Sequence, residues 1–219
     1  MKEQYFTPQT IAQKSLDMLR FLEKSMRIRK RQFVPDRSAL LVLDMQEYFL
    51  NASSHAYIPS VDAILPGILG LVQGYHARSL PVIFTQHIDA SPNVGLMASW
   101  WRDSIHPKNP LANIASCLEA STGIVIQKSQ YDAFYQTTLE ELLHGKGVNQ
   151  VVIAGVMAHL CCETTARSAF VRGFEVFFLV DGTATYNESF HRAALLNLSH
   201  GFAVPVLIKD VLLALKEKA

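Results

Sequence analysis

Val151-Val-Ile-Ala-Gly-Val-Met-Ala-His-Leu-Cys-Cys-Glu-Thr-Thr-Ala-Arg-Ser-Ala-Phe170 is the stretch from which the fold can be read. It opens with an apolar, β-branched run bounded by Gly155, the pattern of a buried strand, and continues at helical spacing as far as Gly173. The turn between the two is where chemistry is expected. A thiol in the first turn of a helix faces unpaired backbone N–H groups and the positive end of the helix dipole, and both favour thiolate over thiol. Cys161 has that position. Taken alone, a cysteine at a strand-to-helix junction is more often a packing residue, and a nucleophile needs the charged groups that other strand ends bring to it.

Upstream, Ala39-Leu-Leu-Val-Leu-Asp44 is a continuous apolar run, as expected of a strand covered on both faces, with Asp44 at its carboxyl end. Leu80 to Thr85 reads as a second strand, and Gly123-Ile-Val-Ile-Gln-Lys128 as a third that ends in a lysine. Downstream, Glu175 to Asp181 and Ala203 to Ile208 read as strands. Helical spacing separates these runs, over Val61 to Arg78, Thr137 to Leu143 and Glu188 to His200, with a short last helix carrying Leu212, Leu213 and Leu215. This alternation predicts a three-layer α/β/α fold around a mostly parallel six-stranded sheet of Rossmann-like topology. In such a sheet ligands bind beyond the carboxyl ends of the strands. Asp44, Lys128 and the Cys161 turn all emerge at that edge. Strand order is not legible from the pattern.

Ahead of the first strand, Thr7-Pro8 reads as an N-cap followed by proline at the first helical position, opening a helix from Gln9 to about Arg27 with Ile11, Leu16, Leu19 and Leu22 to pack. The basic run Arg27-Ile-Arg-Lys-Arg31 then reads as a solvated helix end, favourable where the dipole is negative. Residues 1–35 are thus expected to be an N-terminal helical extension to one domain spanning residues 36–219. The segment from Gln86 to about Pro110 has no clear periodicity, and that length in a compact domain marks a lid or a pocket wall.

Composition narrows the function. With 49% hydrophobic residues among 219, the chain can bury a large core, and a net charge of +1 gives no reason to expect nucleic acid or an acidic membrane as partner. Three cysteines, two adjacent, make no disulfide framework. No secretory signal or membrane-length run is visible, so reduced thiols and a cytoplasmic location are expected. No Gly-x-Gly-x-x-Gly follows the first strand, which sets aside a dinucleotide-binding dehydrogenase. No cofactor is expected.

Asp44, Lys128 and Cys161 have complementary chemistry. A thiol of ordinary pKa is mostly protonated at neutral pH; a nearby ammonium favours the anion and a carboxylate can take the proton. Asp44 would be the base and then the acid, while Lys128 would hold the carboxylate and lower the thiol pKa. Backbone N–H groups of the Met157 to Cys161 turn would meet the oxyanion formed when sulfur attacks a carbonyl carbon. Each residue has an ordinary alternative, since strand-end aspartates often form turns and strand-end lysines are often solvated. Their shared edge is what joins them.

Leu41-Val-Leu-Asp-Met-Gln46, then Lys128 with Tyr131-Asp-Ala-Phe134, then Gly155-Val-Met-Ala-His-Leu-Cys161 with Thr164-Thr-Ala166, resembles the isochorismatase-like cysteine hydrolase superfamily from about Ser38 to Ile208. The resemblance implies an Asp44, Lys128, Cys161 triad, an oxyanion hole from the Met157 and Cys161 amides, and a cis peptide between Val156 and Met157. It also implies hydrolysis of a C–N bond in a small amide or ureido substrate through a covalent thioester, and a homo-oligomer, dimer or tetramer. Nicotinamidases of the superfamily carry an Asp-x-His pair and further histidines as metal ligands after the second strand. Here the segment reads Gln86-His-Ile-Asp89, so no metal is expected and His87 is assigned a hydrogen bond. True isochorismatases share Ala158-His159 but have glycine where Cys161 stands, which keeps a vinyl-ether hydrolase as the alternative. A non-catalytic ligand-binding or redox-sensing protein using Cys161 and Cys162 is the alternative from another class. Cys162 reads as core. Phe49, Gln86, Trp101, Tyr131 and Phe134 are the candidate pocket walls, and His159 is a candidate for orienting substrate.

Overall fold

The structure is a computed structural model that describes residues 1–89 and 95–217. Its strands are β1 (Ser38–Leu43), β2 (Val82–His87), β3 (Ile124–Lys128), β4 (Gln150–Val156), β5 (Glu175–Ala184) and β6 (Ala203–Val206). The helices are α1 (Ile11–Ser25), α2 (Glu47–Leu50), α3 (Val61–Ala77), α4 (Met97–Trp100), α5 (Leu139–Gly145), α6 (Glu163–Val171), α7 (Glu188–Gly201) and α8 (Ile208–Lys216). All six strands pair in parallel, in the order β3-β2-β1-β4-β5-β6.

Every residue of β1 and β4 is buried, because β-branched and leucine side chains on both faces meet helices. On one side α3 packs against α8 and touches β1, β4 and β5; α7 packs with both α1 and α6. At the sheet's edge β3 alternates instead: Ile126 and Lys128 are buried while Val125 and Gln127 are exposed. The chain order reverses between β1 and β4, since β2 and β3 lie to one side and β5 and β6 to the other. Crossovers leave in opposite directions there and open a crevice beyond the strand ends.

Gly155 sets how closely the two central strands approach. It lies opposite Leu43 with φ of +108°, and a Cβ built on it would stand 2.1 Å from the Leu43 carbonyl oxygen. Only glycine fits at such a backbone contact. The pairing of β4 with β5 shifts between Ile153 and Gly155, so the irregularity falls just ahead of the cysteine turn.

Residues 1–35 are less of an appendage than their sequence suggests. Tyr5, Phe6, Met18 and Leu22 belong to the main hydrophobic core, with Phe6 wholly buried. The helix starts two residues later than expected, after a turn in which Thr7 and Thr10 bond reciprocally, each backbone N–H donating to the other's hydroxyl at 3.1 and 3.2 Å. It also ends earlier, at Ser25, with Met26 extended, so Arg27 to Arg31 lie beyond the helix and do not form its end. Its most buried side chains are Ser15, Met18 and Leu22; Ile11, Leu16 and Leu19 are only partly covered.

Candidate active site

β1 delivers Asp44 in a left-handed backbone conformation, φ +50°, which aspartate tolerates better than most residues. That bend turns its carboxylate under the sheet edge, where it is wholly buried. Thr85 on β2 secures it twice: the hydroxyl donates to Asp44 Oδ1 at 2.5 Å and accepts the Asp44 backbone N–H at 3.0 Å. From β3, two strands away, the Lys128 side chain reaches over β2 and places Nζ 2.7 Å from Asp44 Oδ2, with neither side chain exposed. The same ammonium donates to the Gln130 carbonyl at 2.9 Å and to Cys161 Sγ at 3.4 Å.

Cys161 sits in a single π-helical turn, Ala158–Cys162, that runs into α6 and follows a cis peptide between Val156 and Met157. Wide turns of this kind are frequent at functional sites. The Met157 carbonyl accepts the N–H groups of Leu160 and Cys162 at 3.0 and 3.2 Å, closing the turn around the sulfur. In front of Cys161 lies a cavity walled by Tyr48, Phe49, Trp101, Tyr131, Leu160 and Tyr186, with His55, His87, Asp89 and Asp103 as its charged or polar members. An aspartate, a lysine and a cysteine from three strand ends therefore meet behind one largely aromatic cavity.

Residues 38–210 match the Isochorismatase domain family. The chain belongs to the isochorismatase family. It is a hydrolase of that family. Nicotinamidase 3 of Arabidopsis thaliana is 40% identical over 180 residues, which cover 80% of this chain and 87% of that protein. The isochorismatase of Bacillus subtilis (strain 168) is 30% identical over 165 residues, covering 74% of this chain but 52% of that protein. A cysteine hydrolase from Pseudomonas syringae pv. phaseolicola 1448A shares the fold, with a TM-score of 0.82 at 23% identity over 88% of this chain and 98% of that one.

Within this isochorismatase-family site, the thiol differs from its expectation. Burial pushes the Cys161 thiol up to about 12, Asp44's charge adds to the rise, and Lys128 opposes it without winning. Desolvation beside a carboxylate thus favours the neutral thiol, against the thiolate that its place ahead of a helix suggested, and the Lys128 ammonium opposes that shift. Burial would also raise Asp44, yet the Lys128 charge holds its carboxyl below the ordinary carboxylate range. Lys128 in turn loses hydration, but Asp44 and Cys161 keep it above the usual lysine value. The site therefore holds one buried ion pair beside a thiol whose neutral form burial favours.

His87 has both ring nitrogens engaged. Lys128 Nζ faces Nδ1 at 3.4 Å, which makes Nδ1 the acceptor and leaves Nε2–H to donate to Asp89 Oδ1 at 3.0 Å. A cation between an ammonium and a single carboxylate does not fit this donor set. Among the described residues no group of three or more His, Cys, Asp or Glu side chains could hold a metal.

Of the expected pocket walls, Phe49, Trp101 and Tyr131 line the cavity, and Trp101 Nε1 donates to the Tyr131 hydroxyl at 2.7 Å. Three others must be corrected. Gln86 points away, donating to the Ala112 carbonyl and accepting from Gln127 at 3.0 Å each, because alternation along β2 puts it on the face opposite Thr85 and His87. Phe134 is buried against Phe174, with Arg172 over its ring at 5.0 Å. His159 bonds Thr185 Oγ1 at 2.6 Å and stacks on Phe190 at 4.3 Å, outside the cavity. Of the segment between Gln86 and Pro110, residues 90–94 lie outside the described residues, while Met97, Trp101, Asp103 and Ile105 form cavity wall.

Sequence reading passed over Thr85, Tyr48, His55 and Tyr186. The signal for two of them was present: Thr85 is close to the end of β2, and Tyr186 follows the end of β5, the same edge that singled out Asp44 and Lys128. Tyr48 comes from the one-turn helix α2 and His55 from the loop after it, both too short for any periodicity to describe.

Proposed function

We propose that this chain is a cysteine-dependent amide hydrolase, with Cys161 as nucleophile, Asp44 as proton acceptor and donor, and Lys128 as the cation that holds Asp44 ionised. The observation that carries the reading is the buried contact of Lys128 Nζ with both Asp44, at 2.7 Å, and Cys161 Sγ, at 3.4 Å. Burial favours the thiol form of Cys161, so its proton is assigned to pass to Asp44 as the C–S bond forms. The carbonyl oxygen takes the displaced electron pair, and the Met157 and Cys161 backbone N–H groups are assigned to stabilise it. Collapse of this adduct breaks the C–N bond as Asp44 returns the proton to the departing nitrogen. A thioester and a free amine result. Water, deprotonated by Asp44, then attacks the thioester, releasing a carboxylic acid and restoring the Cys161 thiol.

The aromatic walls suit a flat, small substrate stacked or edged against Phe49, Trp101 and Tyr131. Similarity to a nicotinamidase supports an aromatic carboxamide as first choice. The test is ammonia release from nicotinamide and a panel of small amides by the purified chain and by Cys161→Ala. We expect turnover with the unaltered chain and a loss of at least a thousandfold in the variant, together with a substrate-sized mass adduct on Cys161 when the reaction is quenched early. A Cys161→Ala protein that keeps its rate would exclude covalent catalysis and leave vinyl-ether hydrolysis as the better reading.

A further inference from the structure

The N-terminal arm lies outside the residues matched by the family, yet it contacts two residues that line the cavity, His55 and Tyr186. One wall includes His55 and Ala56, from the loop between α2 and α3; another includes Tyr186, from the turn between β5 and α7. Lys2 joins them. Its ammonium donates to the His55 carbonyl and sits 4.6 Å from the centroid of the Tyr186 ring. An ammonium over an aromatic face is held by the ring quadrupole, so one side chain grips a backbone oxygen on one wall and a ring on the other.

The rest of the arm is fastened along the same line. The Glu3 N–H donates to the Tyr186 carbonyl at 2.8 Å, and Glu3 Oε1 accepts the Glu188 N–H at 2.6 Å, where a carboxylate is favoured at the start of α7. The Tyr5 hydroxyl takes the Thr185 N–H at 3.0 Å, and the Phe6 N–H goes to Ser60 Oγ at 3.0 Å. Tyr5 and Phe6 are buried, so the arm is anchored in the core just behind its contact with the mouth. His55 and Lys2 themselves are exposed, which makes the clasp the part of this wall that can give.

We propose that Lys2 is a specificity-determining positioning residue: by tying the His55 loop to the Tyr186 turn it narrows the entrance to the Cys161 cavity and restricts it to small molecules. The inference rests on the reading of that cavity as the substrate site. Lys2 acts through His55 and Tyr186, without touching the reacting atoms.

The experiment compares the rates at which a small and a bulky maleimide, N-ethylmaleimide and fluorescein maleimide, alkylate Cys161 in the unaltered chain, in Lys2→Ala and in Lys2→Arg, read by fragment mass spectrometry that separates Cys161 from Cys162 and Cys117. The ratio of bulky to small rates cancels changes in thiol reactivity and reads access alone. Lys2→Ala should raise that ratio about fivefold or more while the small-probe rate changes less than twofold; Lys2→Arg, which keeps a cation for the carbonyl and the ring, should stay near the unaltered ratio. An unchanged ratio in Lys2→Ala, or a ratio in Lys2→Arg as high as in Lys2→Ala, overturns the proposal. Failure of the cavity assignment looks different: excess small amide would then leave the Cys161 labelling rate unchanged in all three proteins, which overturns the proposal as well.

Discussion

Thr85 and Asp44 hold each other reciprocally, the Thr85 hydroxyl donating to Asp44 Oδ1 at 2.5 Å and receiving the Asp44 backbone N–H at 3.0 Å. One hydroxyl thus fixes both the carboxylate and the left-handed bend that carries it. Thr85→Val keeps the shape and removes both bonds. A hydrogen bond to a charged group contributes about 2 kcal/mol, so kcat should fall roughly tenfold to thirtyfold with KM little changed, and Thr85→Ser should recover most of it. Equal rates for valine and threonine would remove Thr85 from the positioning of Asp44.

Lys128 and Asp44 are a wholly buried ion pair, and breaking such a pair from one side leaves an uncompensated charge. Lys128→Met should therefore destabilise the chain by about 3–5 kcal/mol, measured by urea unfolding. Adding Asp44→Asn should restore a good part of the loss, because the second change removes the stranded carboxylate. Both proteins should be inactive, which separates what the pair does for folding from what it does for the reaction.

Gly155→Ala tests the close approach of β1 and β4. The new methyl would meet the Leu43 carbonyl oxygen at 2.1 Å, with no flexible side chain able to yield, at a φ of +108° that alanine resists. The expected loss is about 3 kcal/mol or more. Because the strand must move away from β1, activity should fall further than stability explains at a temperature where the variant is fully folded.

His191 gives a pH dependence of defined sign. Burial pushes it down to about 3, and its neutral form is specified by its neighbours. Thr183 Oγ1 gives its proton to the Leu179 carbonyl, so His191 Nε2–H donates to Thr183, and Nδ1 accepts the Tyr5 hydroxyl at 3.0 Å. In the unfolded chain this ring titrates near 6.5. The unfolded state therefore binds more protons between those two values, and stability that is complete above about 6.5 is lost as pH falls toward 3. Urea midpoints should drop steadily over that window, and the drop should be shallower in His191→Gln. His159, pushed down to about 4 by burial, contributes in the same direction.

Much of this architecture could be read along the chain. The all-apolar runs at Ala39 to Leu43 and Val151 to Ala154 imply strands covered on both faces, and the helical spacing between runs implies parallel crossovers. The carboxyl-edge rule then gathered Asp44, Lys128 and Cys161, because a strand's last residue and the sheet edge are both properties of local order. Side-chain direction was harder. Gln86 and Thr85 are neighbours in sequence but face opposite ways, and Phe134, the last residue of the Tyr131-Asp-Ala-Phe134 motif, turns into the core against Phe174.

Local pattern was enough for strands, helices and the edge at which they end, since these follow from backbone periodicity and from which residues prefer burial. Strand order, the reach of Lys128 across β2, the preference of Cys161 for its thiol form and the clasp of Lys2 on the cavity all needed the folded chain. Each depends on charges and surfaces contributed by segments distant in sequence. Desolvation and Coulomb terms are sums over neighbours in space, and a linear string does not say who those neighbours are.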